Sequence, residues 1–251
     1  MGTLDGKVAI VTGAGRGIGR GIAIALAKEG AAIAIAELSA RRGALVADEI
    51  EALGSPAYAA RCDIRSSAEV DAFVAATVER LGTVDILVNN AMAANVGVPI
   101  AEIDDASIEL ALMTGPAATL YFMRACFPHL EGDGRVINIR SGSEIQGLSG
   151  FATYIAGKAA VGGITRAAAR EWGPSGITVN GIGPFVLGDG ARSYFDDAPE
   201  ELDAALSSLA IKRSGDAELD IGRAAVFLAS PDSGFITGCT LMVDGGGSFL
   251  G

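Results

Sequence analysis

Histidine occurs once in this chain, at His129, and that scarcity narrows the chemistry available. A Ser-His-Asp nucleophile would have to run through that one imidazole. It lies in Phe127-Pro128-His129-Leu130, at an expected helix end, where a structural placement is the simpler reading. Cysteine is almost as rare. Cys62, Cys126 and Cys239 are odd in number, far apart, and form no Cys-x-x-Cys pair, so neither a disulfide framework nor a metal site is expected. Buried, reduced thiols in a cytoplasmic protein are the expectation. Bases are outnumbered, 19 Lys and Arg against 30 Asp and Glu, and with no basic stripe a nucleic-acid partner is not expected. The acidity reads as a solubilising surface. No membrane partner is expected either, because the apolar stretch from Gly21 to Ala36 is broken by Lys28 and Glu29. Aromatic residues are only 6% of the chain, which leaves the core to aliphatic side chains, and the 35 glycines follow no triplet period that would indicate collagen.

Strand-like apolar runs alternate with helix-length segments throughout. Val8–Val11 leads into Ile18–Glu29, and Ala32–Ala36 into Ala40–Leu53. Ala57–Cys62 precedes Ala68–Leu81, and Ile86–Val88 precedes a helix somewhere within Asp105–Phe127. Arg135–Ile139 precedes Ala152–Trp172, with further strands at Ile177–Asn180 and Leu241–Val243. Continuous rather than alternating hydrophobicity suits a parallel sheet covered on both faces. The pattern predicts an α/β fold with a Rossmann-type doubly wound parallel sheet, a single domain over residues 1–251. One segment breaks the rhythm. Residues 185–214, after the sixth strand, hold Gly188, Gly190 and a cluster of acids, and a substrate lid is expected there because long structureless loops are uncommon without a function.

Between the first strand and helix stands Thr12-Gly13-Ala14-Gly15-Arg16-Gly17-Ile18-Gly19. Glycines permit a tight turn and close backbone approach to a pyrophosphate, and the helix N-terminus offers unpaired N–H groups. The second strand ends near Glu37, whose carboxylate can accept hydrogen bonds from ribose hydroxyls and repels a 2′-phosphate. NAD is therefore expected ahead of NADP, with Arg16, Arg41 and Arg42 as the opposing signal.

Tyr154-Ile155-Ala156-Gly157-Lys158 places a phenol and an ammonium one helical turn apart. The positive charge is expected to stabilise the phenolate and lower the tyrosine pKa toward the range of a general acid/base. Ser141 follows the strand Arg135–Ile139, and its hydroxyl can reach the same substrate oxygen.

In this order, Thr12–Gly19, Cys62-Asp63-Ile64, Asn89-Asn90-Ala91, Ser141, Tyr154 with Lys158, Asn180 and Pro184, and Val243-Asp244-Gly245-Gly246 resemble the short-chain dehydrogenase/reductase family along essentially the whole chain. The resemblance implies an NAD(P)-dependent oxidoreductase acting on an alcohol/carbonyl pair. It implies Tyr154 as acid/base, Lys158 as its tuner and a holder of the nicotinamide ribose, and Ser141 as orienter of the substrate oxygen. It also implies a cofactor site with Gly13, Arg16, Gly17 and Ile18 at the pyrophosphate, Glu37 with Asn89 and Ala91 at the adenosine ribose, Asp63 and Ile64 at the adenine, Leu187 at the carboxamide, and Tyr154 and Lys158 beside the nicotinamide.

Departures from the family pattern are specific. The usual catalytic-network asparagine falls on Gly115, or on Leu112 in a shifted register, and neither can supply an amide. Gly115-Pro116 is still expected to interrupt the helix and so keep the kink. Phe185 stands for a glycine, Asp189 for a threonine, Met92 for a glycine, and Arg140 precedes Ser141 where a small residue is common. A dinucleotide-binding sensor or partner protein with weak redox activity is therefore the alternative. Phe151, Phe185, Leu187, Tyr194 and Phe195 suggest a small, largely apolar substrate. The small residues of Ala152–Trp172, such as Gly157, Gly162 and Gly163, fit close backbone approach, either by its own sheet or across a homotetramer or homodimer interface.

Overall fold

Runs such as Val8-Ala9-Ile10-Val11 offer no polar face to water, so as strands they must be covered on both sides. The structure, a computed structural model describing residues 2–187 and 199–249, does this with one parallel sheet. Its strands are β1 (Val8–Thr12), β2 (Ala32–Glu37), β3 (Ala57–Arg61), β4 (Ile86–Asn89), β5 (Arg135–Ile139), β6 (Thr178–Pro184) and β7 (Thr240–Val243). Their spatial order is β3-β2-β1-β4-β5-β6-β7, all parallel. The order reverses between β1 and β4, which opens the crevice at their C-terminal ends where ligands of such sheets sit.

Two aliphatic layers flank the sheet and make one domain. On one face α1 (Gly17–Lys28), α2 (Ala40–Ala52) and α9 (Arg223–Ala229) bring Ile22, Leu26, Val46, Ile50 and Leu228 against Ile33, Ile35, Val88 and Ile137. On the other, α3 (Ser67–Leu81), α5 (Ala118–Leu130) and α7 (Ala152–Trp172) bring Phe73, Phe122, Met123, Leu130 and Ala168 against Ile10, Leu87, Val136 and Val179. A buried polar chain ties α7 to the sheet: Asn89 Nδ2 donates to Asn138 Oδ1, and Asn138 Nδ2 donates to Thr165 Oγ1, both at 2.9 Å. No helix among the described residues is long and apolar enough to cross a membrane.

The segment expected to hold one helix holds two. α4 (Asp105–Leu112) and α5 are joined by a π-helical turn over Met113–Ala117, so the predicted interruption at Gly115-Pro116 is present. The Thr114 hydroxyl donates to the carbonyls of Leu110 and Ala93 and accepts the Ala93 N–H at 3.0 Å, which anchors that turn to the loop after β4. A second π turn, Ala217–Gly222, and α9 after it were not anticipated. They pack on α1 so closely that a Cβ at Gly21 would lie 2.3 Å from the Ala217 backbone, and one at Gly222 would lie 2.6 Å from Ala25. Short helix α6 (Ser143–Gln146) follows β5.

Of the anticipated lid at 185–214, residues 188–198, including Asp189, Tyr194 and Phe195, lie outside the described residues. The rest forms α8 (Pro199–Ser208) and a return stretch whose Ile211 N–H bonds the Gly245 carbonyl at 2.8 Å. The expectation of three buried thiols is corrected. Cys62 and Cys126 are buried, but Cys239 is exposed, because it lies just ahead of β7 at the open edge of the sheet.

Candidate active site

Leaving β1 and entering α1 within five residues requires backbone that only glycine adopts readily. Gly13 and Gly17 take φ of 66° and 56°. Gly19 is needed for a different reason: a Cβ there would lie 2.5 Å from the Gly13 carbonyl oxygen. Asn90 locks the turn from the neighbouring strand, its Nδ2 donating to the Thr12 carbonyl at 2.9 Å, while Thr12 Oγ1 accepts the N–H groups of Asn90 and Ala91. Asn90 lies inside the Asn89-Asn90-Ala91 motif, yet its clamp on the glycine turn was not anticipated. Arg16 is exposed and extended, and no side chain caps α1, whose first turn also lacks acids. The free N–H groups and the dipole thus face an open turn that can take a pyrophosphate. Ile18 packs at the edge of the core beneath it.

Glu37 closes the other side of this turn. Its carboxylate accepts the Gly15 N–H at 3.0 Å and the Ser39 N–H at 3.2 Å, and Arg42 approaches to 3.9 Å. A carboxylate held at the tip of β2 beside the glycines presents negative charge where an adenosine ribose would lie in such a fold. Asp63, just past β3, is engaged by the Arg65 guanidinium at 2.6 and 2.9 Å. That pairing holds its carboxyl down at about 2. Ile64 packs against the core beside it. Asn89 is buried, with its Oδ1 left without a hydrogen-bond partner, and a Cβ at Gly13 would lie 3.0 Å from that of Ala91. Leu187 leaves β6 with its N–H bonded to Ser214 Oγ at 2.9 Å. Among the described residues no cluster of His, Cys, Asp or Glu could hold a metal.

Ser141, Tyr154 and Lys158 come together beyond the C-terminal end of β5. Ser141 Oγ lies 2.8 Å from Ser143 Oγ and accepts the Ser143 N–H at 3.2 Å, so the start of α6 fixes its hydroxyl. Lys158, buried, donates from Nζ to the Ile139 carbonyl at 2.6 Å and sits 5.8 Å from the centre of the Tyr154 ring. Phe151 meets that ring edge-on. The electrostatics correct one expectation. Tyr154 is raised above its ordinary value, not lowered, because burial disfavours phenolate and Glu144 repels it, against the opposing hydrogen bonding of Ser141. The ammonium is turned to a carbonyl rather than to the phenol. Lys158 itself is brought down to about 8 by burial.

Where an amide would be sought near Lys158, the structure has Met92. Its thioether occupies the space in front of Gly115 and Gly157: a Cβ at Gly157 would lie 2.4 Å from the Met92 methyl, and one at Gly115 3.3 Å. The departures at Met92 and Gly115 therefore fit one another, with Gly115 and Gly157 making room for one flexible side chain. Gly162 likewise admits Arg140, while Gly163 faces open space.

A family model described as enoyl-(acyl carrier protein) reductase matches residues 13–248. A 12alpha-hydroxysteroid dehydrogenase of Clostridium sp. is 37% identical, over 98% of each chain. A 7alpha-hydroxysteroid dehydrogenase, solved with NADH and 7-oxo glycochenodeoxycholic acid, is 36% identical, with a TM-score of 0.93 over 98% of this chain and 95% of that one. A short-chain dehydrogenase of Burkholderia cenocepacia, solved with NADP, is 36% identical, with a TM-score of 0.91 over 98% and 99%.

Proposed function

This chain belongs to the short-chain dehydrogenase/reductase family, and we propose on that footing that it interconverts a secondary alcohol and its ketone with NAD. The substrate would be largely apolar, and the steroid chemistry named for two similar proteins makes a fused alicyclic alcohol the first to try. The observation that carries the reading is the meeting of the Ser141 hydroxyl, the Tyr154 phenol and the buried Lys158 ammonium at the same C-terminal end of the sheet as the glycine turn.

The turn fits a nicotinamide dinucleotide, because Gly13 and Gly17 curve the backbone and the uncapped α1 N-terminus supplies donors. Gly13, Arg16, Gly17 and Ile18 would hold its pyrophosphate, Glu37 the adenosine ribose, and Asp63 and Ile64 the adenine. Asn89, Ala91, Lys158 and Leu187 would line the remainder. Glu37 favours NAD by placing a carboxylate where a 2′-phosphate would have to sit. When bound, the nicotinamide ring accepts or gives the hydride.

The protein's own part is positioning and proton movement. Ser141 Oγ donates a hydrogen bond to the substrate oxygen and offsets charge on it. Tyr154 Oη gives its proton to that oxygen in reduction and takes it back in oxidation. Raised by burial, the phenol stays protonated at neutral pH, which suits it to act as the acid. Phe151, edge-on to the Tyr154 ring, would give the substrate pocket an apolar wall, and Phe185, just past β6, would add to it. A homo-oligomer and a cytoplasmic location belong to the same proposal, the latter resting on three unpaired cysteines.

A panel of alicyclic alcohols and ketones with NAD and NADP, followed by cofactor fluorescence, tests this. Turnover should appear with NAD. In Tyr154→Phe it should fall by about a hundredfold or more with binding retained. Binding without turnover across the panel would overturn the reading in favour of a dinucleotide sensor.

A further inference from the structure

Arg140 and Glu144 form an ion pair inside the catalytic corner. Arg140 Nη2 lies 2.8 Å from Glu144 Oε1, and the two side chains are only 10% and 6% exposed. Ion pairs this enclosed are costly to desolvate, so their presence beside Ser141 calls for a reason. The fold makes room for the pair. A Cβ at Gly162 on α7 would lie 2.4 Å from the guanidinium, and one at Gly181 on β6 would lie 2.8 Å from its stem. Arg140 also bonds Thr240 on β7.

Gly162 is one helical turn beyond Lys158, so the guanidinium and the ammonium meet the same face of α7. Glu144 is paired directly with Arg140, and its charge also bears on Lys158. Glu144 Oε2 is buried and has no hydrogen-bond partner, so it is not spent on a structural bond. The charged and titratable groups facing Glu144 are Arg140 from the end of β5 and Tyr154 and Lys158 from α7.

We propose that Glu144 is a positioning residue of this site: clamped by Arg140, its carboxylate is the counter-charge for the two buried cations, and it sets the pH range in which Tyr154 exchanges its proton. The catalytic part of this inference rests on the function proposed above. With Tyr154 protonated the four groups sum to one positive charge, and with phenolate to zero. Removing the carboxylate adds a positive charge in either state, which favours phenolate and makes the ammonium easier to lose. The same direction follows from Glu144 raising both Tyr154 and Lys158.

The test is an ultraviolet titration of phenolate up to the alkaline limit of the fold, with Tyr154→Phe as the blank that isolates Tyr154. In Glu144→Gln the Tyr154 transition should move down by about one pH unit, and Glu144→Asp should return it toward wild type. Glu144→Gln leaves a buried guanidinium unpaired and can fail to fold. The double variant Arg140→Met with Glu144→Gln removes both charges at similar volume and leaves the charge sum as in wild type, so its Tyr154 transition should fall back toward wild type, whereas Arg140→Met alone, which removes a positive charge, should move it up. The acid limb of kcat/KM for alcohol oxidation should shift in the same direction as the Tyr154 transition in each variant. A Tyr154 transition that stays put in folded Glu144→Gln, or in folded Arg140→Met, overturns the proposal, even if turnover is normal. An absorbance shift without turnover in any variant would instead sink the proposed activity and leave the role of Glu144 standing.

Discussion

Lys158 buries an ammonium whose short hydrogen bond goes to a backbone carbonyl, and such burial costs folding energy. Its value in the folded protein, about 8, lies below the ordinary 10.5. Below about pH 8 the lysine is charged folded and unfolded, and the penalty is present in full. Between about 8 and 10.5 the folded protein has released a proton that the unfolded chain keeps, so stability rises with pH across that window. Lys158→Met should therefore stabilise the fold at neutral pH, on the order of 2 kcal/mol, while removing activity, and the gain should fade toward pH 10.5. Thermal unfolding at both ends of the window measures this. A variant less stable than wild type at pH 7 would contradict it. That Tyr154 and Lys158 share one face of α7 was legible from their spacing, whereas their expected roles came from the family resemblance. The direction of the Tyr154 shift was not, because it depends on how deeply α7 is covered and on a carboxylate that arrives from α6.

At the scale of elements, the strands were readable because covered strands are continuous aliphatic runs, and Arg135–Ile139 and Ala152–Trp172 have the predicted bounds. The interruption at Gly115-Pro116 was readable from proline's missing donor, but that it takes the form of a π turn was not. The turn at Ala217–Gly222 and α9 escaped notice because their fit to α1 depends on Gly21 and Gly222, distant in sequence and meaningful only once the helices cross. The glycines of α7 divide by role in the same way. Gly157 receives Met92 and Gly162 receives Arg140, so both serve the chain's own packing. Helix propensity alone would reward Gly162→Ala by about 1 kcal/mol. Overlap with the guanidinium should outweigh that gain, for a net loss of about 1–3 kcal/mol. Chemical denaturation gives the sign, and a stabilised variant would refute the packing described.

On the scale of the whole molecule, the outer surface of α5 and α7 keeps an apolar groove of about 410 Å³, lined by Leu120, Met123, Phe127, Ile164 and Trp172. Leu120 is half-exposed there, although large apolar residues on a monomer's surface are usually scattered. A second copy covering this face would account for it, in keeping with the proposed homo-oligomer. Light scattering should give a mass at least twice that of the chain, and Leu120→Glu should reduce it to the monomer. A wild-type monomer at micromolar concentration would refute the assembly. The doubly wound parallel sheet was legible from the strand–helix alternation, whereas this groove follows from how two helices lie side by side.

In the function proposed, Tyr154 works as acid/base beside a nicotinamide ring held over the C-terminal ends of β1, β4 and β5. Incubating the enzyme with an alicyclic ketone and NADH deuterated at the transferable position tests it most directly. Deuterium should appear on the carbinol carbon of the product, delivered to a single face, and should be lost in Tyr154→Phe. Unlabelled alcohol, or equal labelling by wild type and Tyr154→Phe, would contradict it.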